Sequence, residues 1–196
     1  MSNAQNGEFL KAYLSGGSVR TEPSNSERDE EIQYILQVFL TAGDEARADG
    51  DLVRAERFYH ETIKLAAREF DEGVPEIALA KFHLSMIYLD RGTLIAADLF
   101  AQSALKIFIE VFGEGHPATG MALHQLAEVH LAQNRADEAK PLRQQASKIL
   151  TSHYEECKKD SESPVMSNNQ MVDCARANLS ATAFVGQRNI VNQSNN

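Results

Sequence analysis

The chain has 196 residues, of which 43% are hydrophobic and 24% charged, and its formal net charge is −9. This composition is typical of a globular protein of one domain, and the negative charge argues against general nucleic-acid binding or docking on anionic lipid. No apolar run approaches the roughly 20 residues of a membrane span, and the N-terminus lacks the pattern of a secretory leader. We therefore expect an intracellular, cytoplasmic protein without direct membrane insertion.

The two ends of the chain are polar and differ from the middle. Residues 1–27 contain one short apolar patch, Phe9–Leu14, and residues 160–196 are rich in serine and asparagine. Such segments bury too little apolar surface to offset the entropy of ordering them. We predict flexible tails at 1–27 and 160–196 around a helical domain of residues 28–159. A short helix between about Asn169 and Ala183 is compatible with the pattern.

The middle of the chain repeats with a period of 42 residues. The segment Gly50–Ala55 aligns with Gly92–Ala97 and with Asn134–Ala139, and Phe70–Pro75 aligns with Phe112–Pro117. Independent columns that agree on one period indicate a helical repeat array. We predict three units, at about residues 36–77, 78–119 and 120–157.

Each unit is predicted to form two helices joined by a tight turn. The first helices are followed by residues that tolerate the left-handed backbone of a helix C-cap: Gly50, Gly92 and Asn134. Pro75 and Pro117 stand where the next first helix begins, and proline suits a first turn. The second helices are predicted to end near Glu69, Val111 and His153. The predicted fold class is all-α, an α-solenoid of three tandem helix hairpins.

Small residues recur where the two helices of a unit approach each other. They are Gly43, Ser85 and Ala127 on the first helices, and Ala55, Ala97 and Ala139 on the second. These columns resemble the tetratricopeptide repeat, and the 42-residue spacing with the segments Phe112–Pro117 and Leu123–His130 is similar to the kinesin-light-chain type. The resemblance implies a right-handed solenoid whose first helices line a concave groove for a protein or peptide partner.

The resemblance also implies which side chains face that groove. They are Gln37, Leu40, Asp44 and Arg47 in the first repeat, Leu79, Phe82, His83, Met86 and Asp90 in the second, and Met121, His124, Gln125 and Glu128 in the third. The kinesin-light-chain type usually carries asparagine just before its Leu-Ala pair, where this chain has Thr41, His83 and Gln125. Leu79, Phe82 and Met86 share one helix face, which fits either an apolar anchor for a partner or packing against a neighbouring helix.

No arrangement in the sequence is typical of catalysis or metal binding. There is no GxSxG elbow and no Gly-rich phosphate loop. His153 and Cys157 have a spacing that suits one metal ion, but no second pair completes a site. We therefore predict no catalytic residues, no metal and no cofactor, and we interpret His116, which precedes Pro117, as a structural residue of a turn.

Charge is distributed unevenly along the repeats. Residues 28–72 hold 12 acidic and 6 basic side chains, a net charge of −6, whereas residues 116–159 hold 5 and 6, a net charge of +1. An acidic first repeat fits attraction of a basic partner segment, but simple solubility is the explanation that this modest asymmetry favours. The helix that starts before Lys140 becomes increasingly polar, which is typical of the end of a repeat array.

Two functions are compatible with this organisation. The first is a non-enzymatic adaptor or scaffold that binds a peptide or helix of a partner protein in the groove. The alternative is a structural or assembly subunit whose repeat ends and tails are buried in a larger multiprotein complex. We expect an adaptor to be monomeric in isolation and an assembly subunit to behave poorly without its complex.

Overall fold

The computed structural model describes residues 25–70 and 73–159, and it describes side chains between residues 28 and 154. Within these ranges the chain forms six α-helices and no strand, which confirms the predicted all-α class. The helices are α1 Asn25–Ala48, α2 Leu52–Glu69, α3 Pro75–Asp90, α4 Leu94–Phe112, α5 Pro117–Ala132 and α6 Ala136–Lys159. None of these helices is long and apolar enough to cross a membrane.

The observed boundaries differ from the predicted ones at the two ends of the array. Helix α1 begins at Asn25, three residues before the predicted start of the domain at residue 28, and α6 continues past His153 to Lys159. The predicted tails otherwise lie outside the described residues, as does the segment between Asn169 and Ala183. The second helices α2 and α4 end at Glu69 and Phe112, close to where the periodicity places them.

The helices pair into three antiparallel hairpins, each closed by a residue with left-handed backbone. The φ angles are 79° at Gly50, 71° at Gly92 and 61° at Asn134. The residue after each of them donates its N–H to a carbonyl five residues earlier: Asp51 to Ala46, Thr93 to Tyr88 and Arg135 to His130. This Schellman pattern satisfies helix-end carbonyls and turns the chain back on itself, as predicted from the residue types.

Proline opens α3 and α5, and His116 caps α5. The Nδ1 atom of His116 accepts the backbone N–H of Ala118 at 3.1 Å, and its ring stacks on Phe112 with centroids 4.5 Å apart. Val74, at the corresponding place before α3, forms no side-chain cap. His116 therefore has the structural role in the turn that its position before Pro117 predicts.

The three hairpins stack in chain order. Helix α2 packs against α3, and α4 packs against α5, so the second helix of each hairpin contacts the first helix of the next. Helices α1, α3 and α5 also approach one another more closely than α2, α4 and α6 do. The array therefore curves toward α1, α3 and α5, which form its concave face, while α2, α4 and α6 form its convex face.

Both ends of the stack present polar flanks. On α3, Leu84 and Ile87 are buried against the preceding hairpin. One repeat earlier, α1 carries Ala42 and the exposed Glu45 in their places. The outer positions of α6 are also polar and exposed, as predicted for the last helix: Lys140, Arg143, Gln144, Gln145 and Lys148. Among the described side chains, both of these flanks are thus more polar than the surface on which α3 packs.

Candidate functional site

All thirteen predicted groove residues lie on α1, α3 and α5, the helices of the concave face. Their exposure nevertheless varies widely. Asp90 is exposed, His83 and Gln125 are buried at 6% exposure, and the half-buried residues are Gln37, Asp44, Arg47, Leu79, Met86, His124 and Glu128. A partner-binding role for these ten residues stays a prediction.

The other three predicted groove residues belong to the core. Leu40, Phe82 and Met121 are between 1% and 2% exposed. Leu40 packs in a cluster with Tyr59, and Phe82 and Met121 pack in the main cluster with Phe108. The prediction that these three side chains line an open surface is wrong, because the first helices lie side by side and large apolar side chains fill the seams between them.

A polar cluster joins three helices beneath the concave face. The hydroxyl of Tyr59 on α2 donates a hydrogen bond to Oδ1 of Asp44 on α1 at 2.7 Å. The Nε2 atom of His83 on α3 lies 3.5 Å from the same oxygen, and its ring stacks on Tyr59 with centroids 5.0 Å apart. Both contacts use Oδ1, and the Asp44 side chain is 43% exposed. The protein interior thus holds Asp44 through Oδ1. Its second oxygen, Oδ2, can accept a hydrogen bond from a group on the concave surface.

Burial controls the chemistry of this cluster. Tyr59 is fully buried, and burial together with the neighbouring Asp44 carboxylate raises the pKa of its phenol far above the usual value. The positive charge of Arg47 acts in the opposite direction but is outweighed. Tyr59 therefore remains a hydrogen-bond donor at every physiological pH, and it holds Asp44 in one position.

Gly43 makes room for the Tyr59 ring. A Cβ atom added at Gly43 would lie 2.6 Å from Cε1 of Tyr59, well inside van der Waals contact. The small residue recognised in the sequence as a helix-approach position thus has a specific neighbour. That neighbour, Tyr59, is the contributor to the site that sequence reasoning missed. The sequence pattern that could have identified it is a large aromatic residue one turn after the small Ala55 on the second helix.

Two buried donors on the concave face contact no acceptor among the described residues. They are Nε2 of Gln125 on α5 and Nε of Arg47 on α1. A buried donor without an acceptor costs about 1–3 kcal/mol, so such groups are rare unless an ordered water or a ligand accepts their hydrogen bond. Gln125 occupies the position at which the kinesin-light-chain resemblance implies a side chain that hydrogen-bonds a peptide backbone.

Carboxylates dominate the exposed charge of the concave face. Asp44, the exposed Asp90 and Glu128 lie on successive first helices. Glu128 lies 3.9 Å from Nε2 of His124 and 4.0 Å from Nε of Arg143, distances typical of weak surface pairs. Among the described residues no three His, Cys, Asp or Glu side chains are grouped as a metal site would require.

Comparison with known protein families identifies the repeat. Residues 76–152, from the start of α3 into α6, match the family model of the tetratricopeptide repeat. The chain contains tetratricopeptide repeats. The matched region is the second and third hairpins, in which Leu84, Ile87 and their counterparts pack on a preceding hairpin. The first hairpin lies outside the match, in agreement with its polar outer flank.

The tetratricopeptide repeat assignment confirms the solenoid of helix hairpins and indicates interaction with proteins as the general role of the fold. It does not separate the kinesin-light-chain type from other tetratricopeptide repeats, so that resemblance stays a prediction. No curated protein matches the chain. The role of this particular array must therefore be argued from its own concave face.

Proposed function

We propose that this chain is a non-enzymatic adaptor that binds an extended segment of a partner protein across its concave face. The observation that carries the proposal is the buried Gln125 amide, whose Nε2 has no acceptor among the described residues. Rotation of the Gln125 side chain toward the concave surface would let this donor meet a backbone carbonyl of a bound segment, which would remove the cost of leaving it unpaired.

Asp44 complements Gln125 from the other end of the face. Its fixed carboxylate accepts hydrogen bonds, whereas the Gln125 and Arg47 nitrogens donate them. An extended peptide presents N–H and C=O groups in alternation, so donors and acceptors spread over neighbouring helices match its backbone. The half-buried Met86 lies on the intervening helix α3 and offers an adaptable apolar contact for one side chain of the segment.

The charge of the face favours a basic segment. Asp44, Asp90 and Glu128 offer three carboxylates. Of these, Glu128 lies 4.0 Å from Nε of Arg143, and the guanidinium of Arg47 lies beside Tyr59. Lysine or arginine side chains in the partner would complement this surface. Because exposed charges are screened by salt, the affinity should fall as ionic strength rises.

The rival function is that of an assembly subunit buried in a larger complex. The polar flanks at Glu45 and at Lys140 and Arg143 support the adaptor instead, because permanently buried interfaces are more apolar than ordinary surface. An adaptor is expected to be a well-behaved monomer, and size-exclusion chromatography with light scattering tests this. An intracellular location likewise stays a prediction.

The decisive experiment selects short peptides from a random display library on the whole protein and measures their affinity by fluorescence anisotropy. We expect the selected peptides to be enriched in lysine or arginine. Replacing Gln125→Leu should weaken binding about tenfold, the effect of roughly 1.4 kcal/mol, while leaving thermal stability equal or higher. Asp44→Asn should weaken binding of the basic peptides and flatten the salt dependence.

The matched control is Gln144→Leu on the exposed flank of α6, which makes the same chemical change outside the concave face. It should leave peptide affinity unchanged. Selected peptides that bind Gln125→Leu as tightly as the unmodified protein would overturn the proposal, and so would a library that yields no binder.

A further inference from the structure

Large aliphatic side chains stand exposed near the start of two convex-face helices. Ile95 and Leu99, one turn apart on α4, are 78% and 65% exposed. Val53, which precedes Ile95 by one repeat on α2, is 64% exposed. His60 on α2 contacts Phe100 on α4 with ring centroids 6.1 Å apart, so the two helices lie side by side and the three aliphatic side chains belong to one surface.

Two exposed arginines border these aliphatic side chains on α2. Arg54 follows Val53 directly, and Arg57 occupies the position of Leu99 one repeat earlier. Three residues apart on one helix, the two arginines are neighbours. The Arg54 guanidinium carbon lies 5.6 Å from the centroid of the Phe58 ring, a contact that orients the side chain and leaves its charge in place.

The other charged side chains of α2 form pairs, so Arg54 and Arg57 carry its surplus charge. The pairs are Lys64 with Glu61, Arg68 with Glu69, and Glu56 with Arg91 just past α3. Among the described side chains, neither Arg54 nor Arg57 takes part in an ion pair of this kind. Asp51, which caps α2 by accepting the Arg54 N–H at 3.0 Å, offsets one of the two positive charges at most. This surface is therefore locally positive in a chain whose net charge is −9.

The charges on α4 and α6 define where this surface ends. At the far end of α4, Lys106 and Glu110 form a pair at 3.9 Å and add no net charge. Beyond Ile95, the start of α6 carries the exposed Asp137 and Glu138. The convex face is thus basic over α2, apolar at the centre and acidic at the start of α6.

We propose that this surface, the convex band formed by Val53, Arg54, Arg57, Ile95 and Leu99, binds an acidic amphipathic helix of a second partner protein. The apolar stripe of the helix packs on the three aliphatic side chains, and carboxylates along one edge of the stripe pair with the two arginines. This goes beyond the proposed function, because the face lies opposite the groove and selects the opposite charge.

The apolar part of the convex band favours a helical occupant. Scattered exposed apolar residues are common, but three large ones on one face of a small array indicate a contact surface. Ile95 and Leu99 are one turn apart on α4, and a partner helix presents apolar side chains at the same spacing. Two helices that pack in this way interdigitate such side chains.

The charges determine which helix fits and how it lies. A guanidinium pairs with a carboxylate through two parallel hydrogen bonds, so Arg54 and Arg57 favour aspartate or glutamate in the partner. Asp137 and Glu138 repel carboxylates on the opposite side of the convex band. The acidic edge of the partner helix therefore lies over α2, and the edge that faces α6 is neutral or basic.

The test selects helix-forming peptides from a display library on the whole protein. Each peptide carries leucine along one helix face, with glutamate or lysine chosen at random along the two edges of that face. We expect the selected peptides to carry glutamate along one edge and to bind less tightly as the ionic strength rises. In methyl NMR, the peptide should shift the signals of Ile95 and Leu99 and leave that of Met86, on the concave face, unchanged.

Charge reversal tests the role of the two arginines. The double variant Arg54→Glu and Arg57→Glu should weaken binding of the selected peptide about tenfold, and replacing the glutamates of the peptide by lysine should restore it. The matched control, Lys140→Glu with Lys148→Glu, makes the same change of charge at exposed positions of α6 and should leave the affinity unchanged.

A second double variant tests the apolar part of the convex band. Ile95→Ser with Leu99→Ser should weaken the peptide about tenfold while the melting temperature stays the same, because both side chains are exposed. Ile109→Ser, at a less exposed position near the end of α4, is the control and should not change the affinity.

Several outcomes would overturn the proposal. They are a library that yields no binder, selected peptides without a glutamate edge, and peptides whose binding depends on Gln125 and not on Arg54 and Arg57. Binding of the protein to phosphatidylserine vesicles that is lost in the arginine double variant would instead assign the convex band to lipid. A dimer that is lost in Ile95→Ser with Leu99→Ser would assign it to a second copy of the chain.

Discussion

Glu56 and Asp98 occupy the same position in successive repeats, and each ties its hairpin to the next. Glu56 on α2 accepts hydrogen bonds from the Tyr88 hydroxyl at 2.6 Å and from Arg91 at the end of α3. Asp98 on α4 accepts a hydrogen bond from Arg135, just past α5, at 3.1 Å. Each junction between consecutive hairpins thus contains one carboxylate, and the two carboxylates stand one repeat apart. Their hydrogen bonds help to set the angle between consecutive hairpins.

These two carboxyls make the array sensitive to acid. Burial raises the pKa of each, but the surrounding hydrogen bonds and positive charges outweigh it, so both pKa values lie below the ordinary 4.5 of Glu and 3.8 of Asp. The stability that they contribute is therefore present above those values and is lost as the pH falls through the depressed pKa values. We expect the melting temperature of the protein, followed by circular dichroism, to fall steeply below pH of about 4.5.

The double variant Glu56→Gln and Asp98→Asn should melt lower at neutral pH and lose less on acidification. Glu110→Gln is the control, because Glu110 is exposed and its pair with Lys106 spans 3.9 Å. An acid profile of the double variant that is parallel to that of the unmodified protein would contradict the assignment of these junctions.

Gly43→Ala tests the close packing of the Tyr59 ring against α1. Alanine normally stabilises a helix interior over glycine by about 1 kcal/mol, so a helix-propensity argument predicts a gain. Here the new Cβ would lie 2.6 Å from the Tyr59 ring, and we expect the clash to prevail with a net loss of about 1–3 kcal/mol. Chemical denaturation measures the difference. Gly115→Ala, whose Cβ would meet nothing within 4 Å, should not destabilise the protein.

The periodic part of this fold could be read from the sequence, because its causes are local. Glycine or asparagine at 50, 92 and 134 permits the left-handed turn at low cost, and proline at 75 and 117 suits the first turn of a helix because its ring fixes φ. The solenoid follows once those turns recur at one spacing.

The site could be read only in part, because its contacts join helices that are distant in sequence. Tyr59 reaches Asp44 across 15 residues and meets His83 on a third helix. Which face of α3 is open depends on how tightly the first helices pack, and a single repeat contains no information about that spacing. For this reason the sequence does not separate Met86, which is half-buried, from Phe82, which lies one turn earlier and belongs to the core.

Phe82→Ala is expected to destabilise the protein strongly. The side chain is 1% exposed and packs with Phe108 and Met121 in the main cluster, so its removal leaves a cavity worth about 3–5 kcal/mol. Met86→Ala, at a half-buried position, should cost less, and the exposed Lys106→Ala should have little effect. Thermal unfolding of the three variants ranks them directly. A Phe82→Ala protein with the same melting temperature as the unmodified protein would place Phe82 at the surface.

His116 should give the array a second pH dependence, well above the range in which the carboxyls titrate. Burial, and secondarily the charge of His153, lowers the pKa of His116 below its ordinary 6.5. The neutral ring is therefore the native form, and its contribution is present above pH 6.5 and lost as the pH falls below it, because a protonated Nδ1 cannot accept the Ala118 N–H. Losing such a cap costs about 1 kcal/mol. His116→Asn, which keeps a capping oxygen but does not titrate, should flatten the melting temperature between pH of about 7.5 and 5.5. The control His124→Asn, on the concave face of α5, should keep the dependence of melting temperature on pH. If His116→Asn and the unmodified protein show equal dependence, the His116 cap is not the group that titrates.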